Sequence, residues 1–337
     1  MLRRWLRIGL GWAVAIVFIA LAFRRVSPTA VLDALRTARP APLWLALLAL
    51  GAGFAVRIVR WWMMLRVLEP TLRARDCARP FLVSIAVNNT LPLRVGDVIR
   101  ALGFRSTLRA SPMAVAGTLI VERLFDVVVL LGLLFAGLLA LGRAVVPRPF
   151  LIAGTTVGIL ATGGLLSLVL VPRLLRTVAD RAIAHVPLLS ESFRERVHGF
   201  ADQLFDSLAV VRPARRAVML LATTVLAWGL EGSAYACVAW SLRANGTAFA
   251  PWFALSTGTL ATMIPSSPGY VGTFDYFAVQ GLSAFGADRV VALTFALVIH
   301  LLLWLPVTVV GALYLVVPVR RRTAAPATAL STVEGAA

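Results

Sequence analysis

Six stretches of 19 to 30 apolar residues, separated by connectors that carry arginine, most tightly limit what this chain can fold into. A helix needs about 20 apolar residues to cross a bilayer core of roughly 30 Å. The runs lie near residues 5–23, 43–65, 112–141, 150–171, 217–241 and 289–317, and each is long enough to span. Hydrophobic residues make up 60% of the 337 positions and the mean hydropathy is +0.87, more apolar side chain than a water-facing surface can hide. The expected fold class is all-α, a polytopic membrane protein of about six full transmembrane helices.

Two further apolar stretches, 81–104 and 251–285, are interrupted by Pro, Gly and polar residues, a pattern that lipid-facing helix does not tolerate. They read as re-entrant or broken helices. Their interruptions share a form, Leu91-Pro92-Leu93-Arg94-Val95-Gly96 in the first and Ile264-Pro265-Ser266-Ser267-Pro268-Gly269 in the second. A single transmembrane domain over 1–322 then divides into repeat units 1–141 and 150–317, each with two spans, a broken segment and a long span. Three full crossings per unit would invert the second relative to the first, and breaks at matching positions mark the usual place of a transporter site. The stretch 173–216 mixes apolar residues and arginines at helical spacing, as a cytoplasmic amphipathic segment does. The small-residue segment 323–337 reads as a disordered tail.

All 33 basic residues are arginine, against 15 acids. With the N-terminus inside, 22 arginines fall on the cytoplasmic side and 8 outside, while Arg57, Arg60 and Arg123 lie within spans. The positive-inside rule therefore places both termini in the cytoplasm and the chain in the cell membrane. Nucleic acid is excluded as a partner, because these arginines flank apolar runs and form no solvated basic surface with interleaved aromatics. Cys77 and Cys237 match no zinc or disulfide pattern, and His185, His198 and His300 are dispersed, so no metal or cofactor is expected. The run Trp5 to Phe23 is too long for a cleaved signal and reads as a retained first helix.

Three strings could carry chemistry. The first is Asn88-Asn89 through Pro92, Arg94, Gly96 and Asp97 to Arg100, where a proline and a glycine free backbone groups and guanidinium forks suit phosphate oxygens. The second, Glu122-Arg123 with Asp126, lies inside a long apolar run. Ionisable groups there cost about 2.5–3.5 kcal/mol each on insertion scales and are functional or paired by default; the alternative is a structural ion pair of Arg123 with Glu122 or Asp126, and the two roles are not exclusive. The third runs from Pro265 and Ser266 through Pro268, Gly269 and Gly272 to Asp275, offering hydroxyls, open amides and one acid. Glu231 is a lone acid in the run 217–241 and needs an arginine from another helix; His300 stands in an apolar run as a bundle histidine or a proton relay. No Ser/His/Asp arrangement, phosphate loop or nucleotide fingerprint occurs, and the chain is not expected to be an enzyme.

These strings, in this order and spacing, resemble the flippase-like family that includes the membrane half of lysylphosphatidylglycerol synthase. The resemblance runs through Pro92, Arg94, Gly96, Asp97 and Arg100, then Glu122, Arg123 and Asp126, then Pro265, Pro268, Gly269, Gly272 and Asp275, with aspartate at 97 and 275 where glutamate is expected. It implies a lipid-translocating domain whose partners are membrane lipids, together with a separately encoded lipid-modifying enzyme, since the chain ends soon after Arg322 without the family's aminoacyltransferase half. The expected activity is movement of a phospholipid or lipid-linked anionic headgroup, with Arg94, Arg100 and Arg123 neutralising phosphate. Two other classes stay open, an enzyme or accessory subunit of polyprenyl-phosphate glycan assembly and a small-solute secondary transporter; a homo-oligomer is also compatible with the sequence.

Overall fold

The computed structural model describes residues 2–24, 26–91, 94–142, 156, 163, 176–178, 181, 191, 199, 214–264 and 266–316, with side chains from residue 13 onward. These residues form helices and connections without a strand. In chain order they are α1 (Leu2–Phe23), α2 (Pro28–Arg36), α3 (Pro40–Leu68), α4 (Ala74–Thr90), α5 (Val95–Leu102), α6 (Arg105–Leu108), α7 (Pro112–Leu141), α8 (Ala214–Ser241), α9 (Ala250–Ala261), α10 (Thr273–Ser283) and α11 (Arg289–Val316). Local signals set several ends. Ser111 accepts from the Ala114 amide at 3.1 Å and Pro112 follows it, so α7 begins on a capped, pre-set turn. Ser27 and Pro28 start α2 in the same manner.

Four helices, α3, α7, α8 and α11, are long and apolar enough to cross a membrane. The sequence count of six is therefore met at four positions. Residues 5–23 fall within α1, whose described end is bent by 69° from α2, and the run 150–171, apart from residues 156 and 163, lies outside the described residues, as do most of the amphipathic stretch 173–216 and the tail.

The interrupted stretches form two helical hairpins, α4 with α5 and α9 with α10, each folded back on itself. Close backbone approach makes the first one possible: a Cβ at Gly96 would collide with the Ser84 carbonyl of α4. Long helices α3 and α8 make the most extensive packing in the molecule, antiparallel, with the start of α3 tied to the end of α8 by Arg39 N–H to Ser241 O at 3.0 Å. Both hairpins pack on α7 and α11: the first through α5 on α7 and α4 on α11, the second through α9 on α7 and α10 on α11. Two buried clusters result, a larger one built on α8, α9, α10 and α11 and a smaller one on α3, α4 and α7.

Candidate functional site

Charge is buried where these elements meet. Arg60, on the inner face of α3, donates Nη1 to Asp126 Oδ1 at 2.7 Å and to Thr224 Oγ1 of α8 at 2.7 Å, and its Nη2 lies 3.4 Å from Glu122 Oε1. Asp126 also accepts from Trp228 Nε1 at 3.1 Å. On the other side of Glu122, Arg100 of α5 donates to Oε2 at 3.2 Å. Its guanidinium lies 3.7 Å from the Trp61 ring centroid and 4.4 Å from that of Phe81, so two aromatic rings pack against the buried cation. One turn from Arg60, Arg57 binds Glu231 at 2.6 Å and lies against Trp228. Three arginines and three acids, all buried, thus balance across α3, α5, α7 and α8. Removing so many charges from water is stable only because each is paired and hydrogen-bonded.

Beside this network the two breaks touch. At the first, Arg94 takes left-handed backbone (φ 52°) and turns the chain from α4 into α5, and Asn88 Nδ2 holds Asp97 at 3.0 Å. At the second, Gly269 (φ 68°), Tyr270 (φ 61°) and Gly272 (φ 85°) fold a short 3-10 turn, and Asp275 reaches back to the Gly272 amide at 2.8 Å to cap α10. Arg94 Nε donates to the Tyr270 hydroxyl at 3.2 Å, joining break to break. α11 clamps both: Asn89 donates to Thr308 Oγ1 at 2.9 Å and accepts from Trp304 Nε1 at 3.2 Å, while His300 contacts Asp275 Oδ1 at 2.8 Å and the Gly269 carbonyl at 2.9 Å.

Arg123 stands at the edge of this junction, in electrostatic reach of Asp97 and Tyr270, with 46% of its side chain exposed. Its approach to Asp126 is loose, 3.9 Å. The ion pair of Arg123 with Glu122 or Asp126 that the sequence left open is met only by this long contact with Asp126; the close partners of those acids are Arg60 and Arg100, which point into the bundle while Arg123 points out of it. The expectation for Arg100 is corrected. At 1% exposure, stacked and paired, it has no face for a phosphate in this conformation. Arg94 and Asp97 remain half-buried, Asn88, Asn89 and Ser266 likewise, and Pro92 and Pro265 lie outside the described residues. Ser266 Oγ and Asn88 Oδ1 are buried polar atoms with no partner.

Arg57 and Arg60 were absent from the sequence-derived site although their signal was present: two ionisable residues three apart in an apolar run share a helical face. Trp61, Trp228, Thr224 and Trp304 carried none. Among the described residues no three His, Cys, Asp or Glu side chains gather as a metal site.

An all-helical bundle with four membrane-length helices and paired charges at their centre defines a multi-pass membrane protein. Residues 8–311 match the lysylphosphatidylglycerol synthase transmembrane region, and the chain belongs to that family. It is also similar to glycosyltransferase AglD of Haloferax volcanii, 25% identical over 295 residues, which cover 79% of this chain and 47% of the relative. The chain thus spans about half the length of that relative. This finding overturns the expectation that the chain is not an enzyme. That expectation rested on the lack of local catalytic strings, and residues brought together from distant positions leave no such string.

Proposed function

We propose that this protein acts on a membrane lipid with an anionic, phosphate-bearing headgroup and moves that headgroup between leaflets through the junction of the two breaks. Family membership and the glycosyltransferase relative support the broader reading, a function in membrane lipid or lipid-linked glycan metabolism. One observation carries the finer one: Arg94 and Arg123 stay accessible beside a buried, charge-balanced network, at the point where the breaks meet. A phosphate could replace the Tyr270 hydroxyl as acceptor for Arg94, and the unpartnered Ser266 hydroxyl of the second break is a further donor. In this reading both hairpins are re-entrant, both termini are cytoplasmic, and the units 1–141 and 150–317 rock against each other about the α3–α8 pair. The packing of each hairpin on the last helices of both units, α7 and α11, supports that motion, since a rotation of either unit would shear both hairpins.

Reconstitution tests the proposal. In liposomes carrying a fluorescent phospholipid or a polyprenyl phosphate, the wild type should accelerate loss of leaflet asymmetry. Each charge-assisted phosphate contact contributes about 1.5–3 kcal/mol, so Arg94→Ala and Arg123→Ala should each slow movement about 10- to 100-fold. Wild-type rates in both variants, or no movement of any lipid offered, would sink the proposal. A second reading, a part in glycosyl transfer to a lipid carrier with Asp97 or Asp275 as the acid, is favoured by the named relative. Formation of a glycosylated polyprenyl phosphate from a sugar donor, lost in Asp97→Asn or Asp275→Asn, would establish it instead.

A further inference from the structure

His300 faces two acceptors at once. Nδ1 lies 2.8 Å from Asp275 Oδ1 and Nε2 lies 2.9 Å from the Gly269 carbonyl oxygen. A neutral imidazole has one N–H, so a neutral ring beside an ionised Asp275 would leave a nitrogen lone pair against an oxygen lone pair. Both contacts are hydrogen bonds only when the pair carries one additional proton. Asp275 Oδ2 already accepts the Gly272 amide at 2.8 Å, so the additional proton lies between Oδ1 and Nδ1 and belongs to the pair.

The surroundings supply no competing charge. From α8 comes the buried Tyr235, in electrostatic reach of both Asp275 and Glu231; from the 3-10 turn comes Tyr270, bound to Arg94; α4 offers the neutral Asn89, and α10 adds Phe274, whose ring centroid lies 5.0 Å from the imidazole. Neither α9 nor the segment Ala13–Phe23 of α1, which packs on α10, contains a charged residue. The arginines and acids of the central network balance one another. Within this bundle, His300–Asp275 is thus a pair whose charge can change near neutral pH without unbalancing that network, imidazole being the side chain that titrates there.

We propose that His300 and Asp275 form a proton-binding site that couples headgroup movement to a proton gradient. With the proton bound, His300 pins the Gly269 carbonyl and so holds Tyr270 where Arg94 can bind it. When the proton leaves, one of the two contacts is lost, the second break loosens from α11, and Arg94 is released from the Tyr270 hydroxyl to take a phosphate. Acid therefore favours the closed junction and alkali the open one. The coupling rests on the proposed lipid movement; the proton-controlled junction does not.

Two measurements separate these. In a variant with Cys77 and Cys237 replaced, a cysteine introduced by Val271→Cys at the second break is labelled by a maleimide between pH 6 and 8, its rate divided by that of Thr37→Cys at the end of α2. The ratio should rise several-fold with pH, and His300→Gln should abolish that rise. An equal pH profile with and without His300 would overturn the site. In proteoliposomes, an imposed gradient of 1–2 pH units should change the rate of fluorescent-lipid movement several-fold and reverse its effect when the gradient is reversed. Lipid movement indifferent to the gradient would overturn the coupling and leave the proposed function standing. A pH-dependent labelling ratio with no movement of any lipid would retain the proton site and overturn both the coupling and the lipid reading.

Discussion

Asp126 shows what a buried charge needs in this bundle. It accepts from Arg60 and from Trp228, and Arg60 in turn leans on Thr224 and Glu122, so each group's partners come from different helices. Removing one member of such a pair leaves an uncompensated charge, at a cost of about 3–5 kcal/mol. Asp126→Ala should therefore lower the thermal unfolding midpoint in detergent sharply. The double variant Arg60→Met/Asp126→Leu should recover most of the loss, since apolar residues of similar volume replace the whole pair. If the double variant were no more stable than Asp126→Ala, pairing would not be the reason these charges are tolerated.

At the scale of elements, the hairpins depend on contacts too close for a side chain. α4 carries Pro80 in its interior and ends at the break, α5 has only eight residues, and neither would persist alone. They persist because Gly96 rests on the Ser84 carbonyl, and Asn88 and Asp97 join the two arms. Gly96→Val should force the arms apart and destabilise the protein by about 1–3 kcal/mol or more. The loss should appear first as faster proteolysis or hydrogen exchange at residues 94–102, ahead of global unfolding. Unchanged exchange there would mean that the close approach is not needed.

For the whole molecule, the arginine distribution and the order of elements make a joint prediction. Cysteines placed by Asp76→Cys and Ser106→Cys, at the start of α4 and within α6, should react with an impermeant reagent from the cytoplasmic side, and one placed by Asp288→Cys from the opposite side. Reaction of all three from one side would remove the inverted arrangement of units and, with it, the rocking motion. The packing of both hairpins onto α7 and α11 links this topology to the proposed mechanism, in which a rotation of either unit would slide the two breaks past each other.

Apolar run lengths identified the solvent as lipid, located α3, α7, α8 and α11, and marked the two interrupted stretches, because spanning and breaking are local demands on the backbone that composition records directly. The family was legible as well, since each of its short strings is continuous in sequence. Pairing was not. Which arginine meets which acid depends on crossings between helices up to 174 positions apart, as in Arg57 with Glu231, and no string encodes a crossing. The same reason explains why Arg100 looked available and is buried against Trp61 and Phe81, and why His300, one dispersed histidine in the sequence, holds Asp275 and Gly269 of the second break.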